Sequence, residues 1–388
     1  MKHSMKITII LFCIAVVTMM TGCATSSQEN SVYKGAPKHA QPSLAVLPSA
    51  NSYNLNQKLD TLTQKKLNQK IDELFDKHNI AGISATVLIP EKGIWETHRG
   101  FISKPDDIVV DKATVFFWAS VGKLITSTIV HQLISEGKLS LNDKLSNWFP
   151  DIQYAQEITI EQLLTHTNGI YSFNFDPAFQ GTHKSYTPDE LLARAKSHEN
   201  LFKPGEYWSY TNTGYLLLSL IIEEIESKTL TQVLQDRIAK PLNLKSLRTA
   251  SKNEPHLALA HEKGAVIRED YSIIAGAGGF VSNSKDMATF LSALLTGKII
   301  PVKDVHAMMQ DLYPMFDNGQ YYGKGIMLYD FNKINQTDKV WIGHSGGTEN
   351  YKAILLYDTQ SKIIMAISIN DNTPVEAVAY KLMEVMTE

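Results

Sequence analysis

At 388 residues, with 44% apolar and 20% charged residues, the chain is long enough for a large core and has an ordinary globular composition. Its formal net charge of −3 shows no basic excess and argues against a nucleic-acid partner. The 12 histidines are scattered, without His-Glu-x-x-His or cysteine-rich spacing, so neither a metal site nor a cofactor is expected.

Residues 1–22 read as an export signal. Lys2, His3 and Lys6 precede an apolar run over residues 7–20, shorter than the roughly 20 residues of a membrane span. The run ends in Met20-Thr21-Gly22-Cys23, which resembles a bacterial lipobox. The resemblance implies lipidation of Cys23 and a membrane anchor through that lipid. The other cysteine, Cys13, would leave with the signal, so no disulfide is expected. Ala24 after the lipid cysteine, rather than Asp, favours the periplasmic face of the outer membrane in a Gram-negative envelope.

Residues 23–56 are rich in Ser, Ala, Pro, Asn and Gln and read as a flexible tether. The folded part is expected over 57–388. It starts with a helix, because Leu59, Leu62, Leu67, Ile71, Leu74 and Phe75 recur at helical spacing. Strand patterns follow at 83–89 and 93–102. From about 116 to 300 the pattern is mostly helical, with helices predicted at 120–136, 159–165, 188–195, 213–226 and 284–295. Strands return near 323–330, 340–344, 351–357 and 363–369, and a last helix is predicted at 374–386. The assembly these elements allow is an α+β fold. One antiparallel sheet takes strands from both chain ends, the terminal helices pack on one face, and the helical middle forms a second lobe. A ligand site is expected where the lobes meet.

Chemistry concentrates at three places. Ser120-Val121-Gly122-Lys123 opens a helix directly after Phe116-Phe117-Trp118-Ala119. Positions three apart share a helix face, so the hydroxyl and the amine can meet. A helix start and partial burial both disfavour the lysine cation, making a neutral amine available as a base. Ser-x-x-Lys also occurs at Ser31, Ser135 and Ser282, in the tether, at a helix end and at a helix cap. Only Ser120 has suitable partners downstream: Tyr210-Thr211-Asn212 before a helix, and His344-Ser345-Gly346 at a strand end. His166 reads as a structural hydrogen-bonding residue of its own turn, and residues 215–225 as a buried helix behind Tyr210. Gly276-Ala277-Gly278-Gly279 lacks the ending of a P-loop and fits close backbone packing beside the cleft.

The ordered set Ser-x-x-Lys, Tyr-x-Asn and His-Ser-Gly resembles the serine β-lactamase and penicillin-binding protein superfamily, in its class C-like branch. Residues 160–170, 202–215, 241–244, 277–280 and 343–347 are also similar to that branch, and the likeness covers about residues 60–385. It implies an acyl-enzyme on Ser120, with Lys123 and Tyr210 sharing the proton work and either as the base. It further implies an oxyanion hole from the N–H groups of Ser120 and Gly347, and substrate binding by Asn212, His344, Ser345 and Gly346.

Two departures shape the expected activity. His344 stands where many β-lactamases of the superfamily carry lysine, so a substrate carboxylate is held less strongly unless the imidazole is charged. Asn350 stands at a usual glycine position, where a left-handed residue is expected. The implied function is a D-Ala-D-Ala carboxypeptidase-like, penicillin-binding enzyme acting on a small-molecule or peptide substrate. Alternatives are an esterase, a class C-like β-lactamase, and a non-catalytic protein that binds peptidoglycan or a partner.

Overall fold

The computed structural model describes residues 32–177, 186–251, 253–268, 271–315, 319–335 and 337–387. The export signal and Cys23 lie outside the described residues. No described helix is long and apolar enough to cross a membrane.

Nine strands form one antiparallel sheet: β1 (Gly82–Ile89), β2 (Gly93–Ser103), β3 (Ile108–Val109), β4 (Tyr313–Pro314), β5 (Gln320–Tyr322), β6 (Met327–Asp330), β7 (Val340–Gly347), β8 (Lys352–Asp358) and β9 (Ile364–Ile369). Their order is β3-β2-β1-β9-β8-β7-β6-β5-β4. Pairing of β1 with β9, from Ile83↔Ile369 to Leu88↔Ile364, stitches the two chain ends together. The helices used below are α1 (Thr61–His78), α2 (Gly122–Ser135), α3 (Ile160–Thr165), α4 (Pro188–Lys196), α5 (Asn212–Glu226), α6 (Ser284–Leu295) and α7 (Val375–Thr387).

The two-residue period of the strands divides the core in two. Ile83, Ala85, Val87, Ile354 and Leu356 face α1 and α7, against Leu67, Ile71, Leu74, Val378 and Leu382. Leu88, Ala353, Leu355 and Tyr357 face the helical lobe, packing with residues of α2, α5 and α6. The expected α+β architecture is the observed one. The run predicted as a single strand at 323–330 is instead the turn and second strand of a β5–β6 hairpin, because Gly323 N–H closes a turn onto Ile326 O at 2.9 Å. Gly325 takes φ +76° within it.

The expected tether departs from its sequence reading. Its described part, from 32 to 56, runs along the domain as a strap. Tyr33 and Trp208 exchange backbone hydrogen bonds of 2.7 and 2.9 Å, and Lys38 N–H bonds Leu312 O at 3.0 Å. Gln41 Nε2 donates to His306 O at 2.6 Å, and Tyr53 Oη donates to Lys362 O at 2.5 Å. Lys362 Nζ and Tyr357 Oη both donate to Val46 O. These anchors are backbone groups and isolated polar side chains, which leave no hydrophobic periodicity to read. Deleting 32–56 is therefore expected to lower the thermal midpoint by several degrees, checked by melting chains that begin at 32 and at 57.

Candidate active site

Two short strands set the nucleophile candidate. Phe116–Phe117 pairs with Phe280–Ser282, and Trp118 N–H bonds Phe280 O at 3.1 Å. The Trp118 indole N–H donates to Ser282 O at 2.9 Å. The chain then turns sharply through Ala119–Val121 into α2. Ala119 sits at φ 46°, a left-handed conformation rarely taken by alanine. Strain of this kind persists only where neighbours over-determine it. Gly278 is one such neighbour: a Cβ there would lie 2.7 Å from Ala119 O.

Ser120 is half-buried at this turn, and Lys123 is fully buried one turn on. Lys123 Nζ lies 3.3 Å from Ser120 Oγ, 2.6 Å from Asn212 Oδ1 and 2.5 Å from Ala277 O. The two short bonds go to atoms that only accept. A neutral amine would fill them with its two N–H bonds and leave its lone pair for Ser120. Burial alone pushes the Lys123 pKa well below its usual value.

Tyr210, two residues before α5, hydrogen-bonds Ser120. Its ring centre lies 4.9 Å from Lys123 Nζ. Burial pushes its hydroxyl above the usual 10, outweighing the Ser120 bond, so the phenol stays protonated. Asn212 is oriented from outside the three motifs. Ser172 Oγ accepts its N–H at 2.8 Å, and Asn174 Oδ1 accepts its Nδ2 at 2.9 Å, which turns Oδ1 to Lys123. Ser172 and Asn174 went unpredicted, because they lie on a loop with no periodicity and meet the site only through the fold. Ala277 O meets it through the predicted close packing of residues 276–279.

The third motif divides by strand alternation. His344 lies on the helical-lobe side, only 1% exposed. Its Nδ1 is 2.5 Å from Ser345 O, and its Nε2 is 3.2 Å from Tyr322 Oη. Burial first, and Lys123 second, lower its pKa to about 3. Burial therefore disfavours the imidazolium, and both ring nitrogens already have a partner, which weighs against His344 holding a carboxylate as a cation. Ser345 points to the opposite face, with its hydroxyl 3.8 Å from Met327 Sδ and bonded to Tyr329 and Glu376. It is drawn away from the cleft, whereas Gly346 faces it.

A Cβ on Gly346 would stand 2.6 Å from Trp118 O and 2.7 Å from Ser120 N, so the third motif touches the first there. Gly346→Ala must displace one of these backbones, at about 1–3 kcal/mol of stability. It is also expected to cost at least about tenfold in kcat, since small misplacements at a reacting centre are expensive. Steady-state kinetics beside a thermal melt checks both.

β6 pairs with β7 only as far as Met327↔Gly343, so the edge of β7 beyond it is unpaired with β6. Ser345 N–H points along that edge, to Met327 Sδ at 3.5 Å. Gly347 N–H faces the same way by the strand period. The following turn differs from expectation at Asn350, whose φ is not positive. Thr348 Oγ1 accepts the N–H groups of Asn350 and Tyr351 instead, so the turn needs no left-handed residue there.

The neutral His344 predicts acid instability. Its folded pKa of about 3 lies below the usual 6.5, so between these values the unfolded chain binds the extra proton. Stability then falls as pH drops from 6.5 toward 3. Thermal melts across that range are expected to show a shallower fall for His344→Gln. Other buried histidines, His131 and His166 among them, are also held low and add to the slope.

Among the described residues, no group of three or more His, Cys, Asp or Glu is placed to hold a metal ion. The fold and this constellation define a serine hydrolase of the β-lactamase and transpeptidase type. The chain belongs to the β-lactamase family, whose family model, described as Beta-lactamase, matches residues 67–385. It is 28% identical over 291 residues to the Bacillus subtilis (strain 168) "Putative penicillin-binding protein PbpX", covering 70% of this chain and 72% of that one. It is 24% identical over 354 residues to penicillin-binding protein 4* of the same organism, covering 83% and 75%. The D-amino acid amidase of Ochrobactrum anthropi SV3, solved with L-phenylalanine amide, superposes with a TM-score of 0.74 at 23% identity. That match covers 83% of this chain and 98% of the amidase, and shows a shared fold.

Proposed function

We propose that the protein cleaves D-alanyl-type peptide bonds of cell-wall peptides through an acyl-Ser120 intermediate, and that penicillins acylate the same serine. The observation that carries this reading is the buried Lys123 amine, held by Asn212 and Ala277 with Ser120 Oγ at its third position. The names of the penicillin-binding relatives support the substrate class.

In this mechanism Ser120 Oγ bonds the scissile carbonyl carbon while its proton passes to Lys123. The carbonyl π electrons move onto oxygen, where the N–H groups of Ser120 and Gly347 stabilise the charge, at about 3 kcal/mol per donor. Collapse breaks the bond to the leaving group, which takes a proton from the Tyr210 hydroxyl, itself resupplied from Lys123. Water then hydrolyses the acyl-serine by the reverse proton path. Lys123 is taken as the base rather than Tyr210, because burial lowers the pKa of the amine and raises that of the phenol.

A second reading rests on His344. Without a cation there, substrates with uncharged leaving groups, as in esters and amides, lose less than those ending in a carboxylate. An efficient β-lactamase is correspondingly disfavoured. On the proposed lipid anchor at Cys23, at most residues 24–31 separate the membrane from the strap. That is a reach of about 30 Å.

The test is a turnover panel of D-Ala-D-Ala peptides, D-alanine amides, p-nitrophenyl esters and a fluorescent penicillin. Cleavage of the D-alanyl peptides is the expected result. Turnover of esters or amides alone would favour the second reading, and no turnover with any of them would overturn the proposal.

A further inference from the structure

His166 takes no part in the mechanism above, yet the Tyr210 segment is built around it. It ends α3 in a left-handed conformation, φ 62°, and is fully buried. That backbone lets one residue make two bonds to the same strand of chain. Its carbonyl oxygen accepts Ser209 N–H at 3.0 Å, and its Nδ1 accepts Thr211 N–H at 3.2 Å. The two bonds bracket Tyr210, whose ring centre lies 4.3 Å from the imidazole. Tyr322 and Tyr215 close the box at 4.5 and 5.2 Å.

An Nδ1 that accepts leaves the proton on Nε2. Nε2 is buried without a hydrogen-bond partner among the described residues. A side chain serving only to fill this box would do better without that N–H. What the imidazole supplies is the acceptor for Thr211.

We propose that His166 is the positioning residue for Tyr210, acting as a two-point clamp on residues 209–211 that fixes the reach of the Tyr210 hydroxyl to Ser120. The proposal rests on the roles of Ser120 and Tyr210 given above. The clamp needs a neutral imidazole, since a proton on Nδ1 would oppose Thr211 N–H. Burial maintains that state, and Lys123, His344, Tyr210, Tyr215 and Tyr322 are the other titratable groups facing the ring.

Two substitutions in the full folded chain separate clamp from filler. His166→Gly keeps the left-handed backbone without strain and removes the acceptor. His166→Asn tolerates the same backbone and offers Oδ1 near the position of Nδ1. His166→Gly is expected to lower the rate of Ser120 acylation by a p-nitrophenyl ester about tenfold or more, with KM within about twofold. Amide hydrogen exchange at Thr211 should rise with it, and His166→Asn should restore both. A folded His166→Gly that keeps its acylation rate and its Thr211 protection would overturn the clamp, as would a His166→Asn that falls as far as the glycine variant. A Ser120→Ala control that still turned over would instead overturn the nucleophile assignment. Thr211 exchange reads the clamp independently of that control.

Discussion

Ser120→Ala is expected to lower kcat/KM by about four orders of magnitude or more while leaving the fold intact. The hydroxyl is positioned both to bond a carbonyl carbon and to pass a proton to a buried amine 3.3 Å away. Losing it removes the weakest of the three Lys123 contacts and keeps the two short ones. The melting temperature should therefore stay close to that of the parent, with stability changed by less than about 1 kcal/mol. Kinetics with one good substrate, beside a thermal melt, separates loss of chemistry from loss of fold.

Lys123→Met is expected to be nearly as damaging, by about three to four orders of magnitude. Methionine has similar length and no basic nitrogen. Here stability should also suffer, because Asn212 Oδ1 and Ala277 O lose their shared donor in a buried site. Each acceptor left without a partner costs about 1–3 kcal/mol. The pH profile gives an independent sign. In the parent, activity should fall on acidification, as the amine takes up the proton that burial otherwise excludes. The acid limb should lie well below the usual 10.5 of lysine. The residual activity of Lys123→Met should lack that limb.

Much of this was legible in the sequence, for identifiable reasons. Amphipathic spacing marked α1 at Leu67, Ile71 and Leu74, and short apolar runs marked β1, β8 and β9. The Ser120–Lys123 pair was legible because both residues sit on one helix turn, where spacing fixes geometry. Tyr210 and Asn212 were legible only as partners of that pair.

What stayed hidden depends on long-range placement. Which way His344 and Ser345 face is decided by the register of β7, and a one-residue change of register would exchange them. The sequence could read their chemistry but not their direction. Ser172 and Asn174 carry no periodic signal and orient Asn212 only because a loop folds over it. The strap from 32 to 56 looked like a tether because its attachments are backbone hydrogen bonds and isolated side chains, which leave no periodic signal. Asn350 was read as a left-handed residue, but Thr348 supplies the turn with a side-chain oxygen.

The central claim is that an acyl group is carried on Ser120, placed there with Lys123 as base. It is tested most directly by intact-mass and peptide mapping after brief reaction with a fluorescent penicillin or a p-nitrophenyl ester. The account predicts one added acyl group on the peptide containing Ser120, formed far more slowly in Lys123→Met and absent from Ser120→Ala. An adduct on another residue, or one formed equally fast in Ser120→Ala, would contradict it.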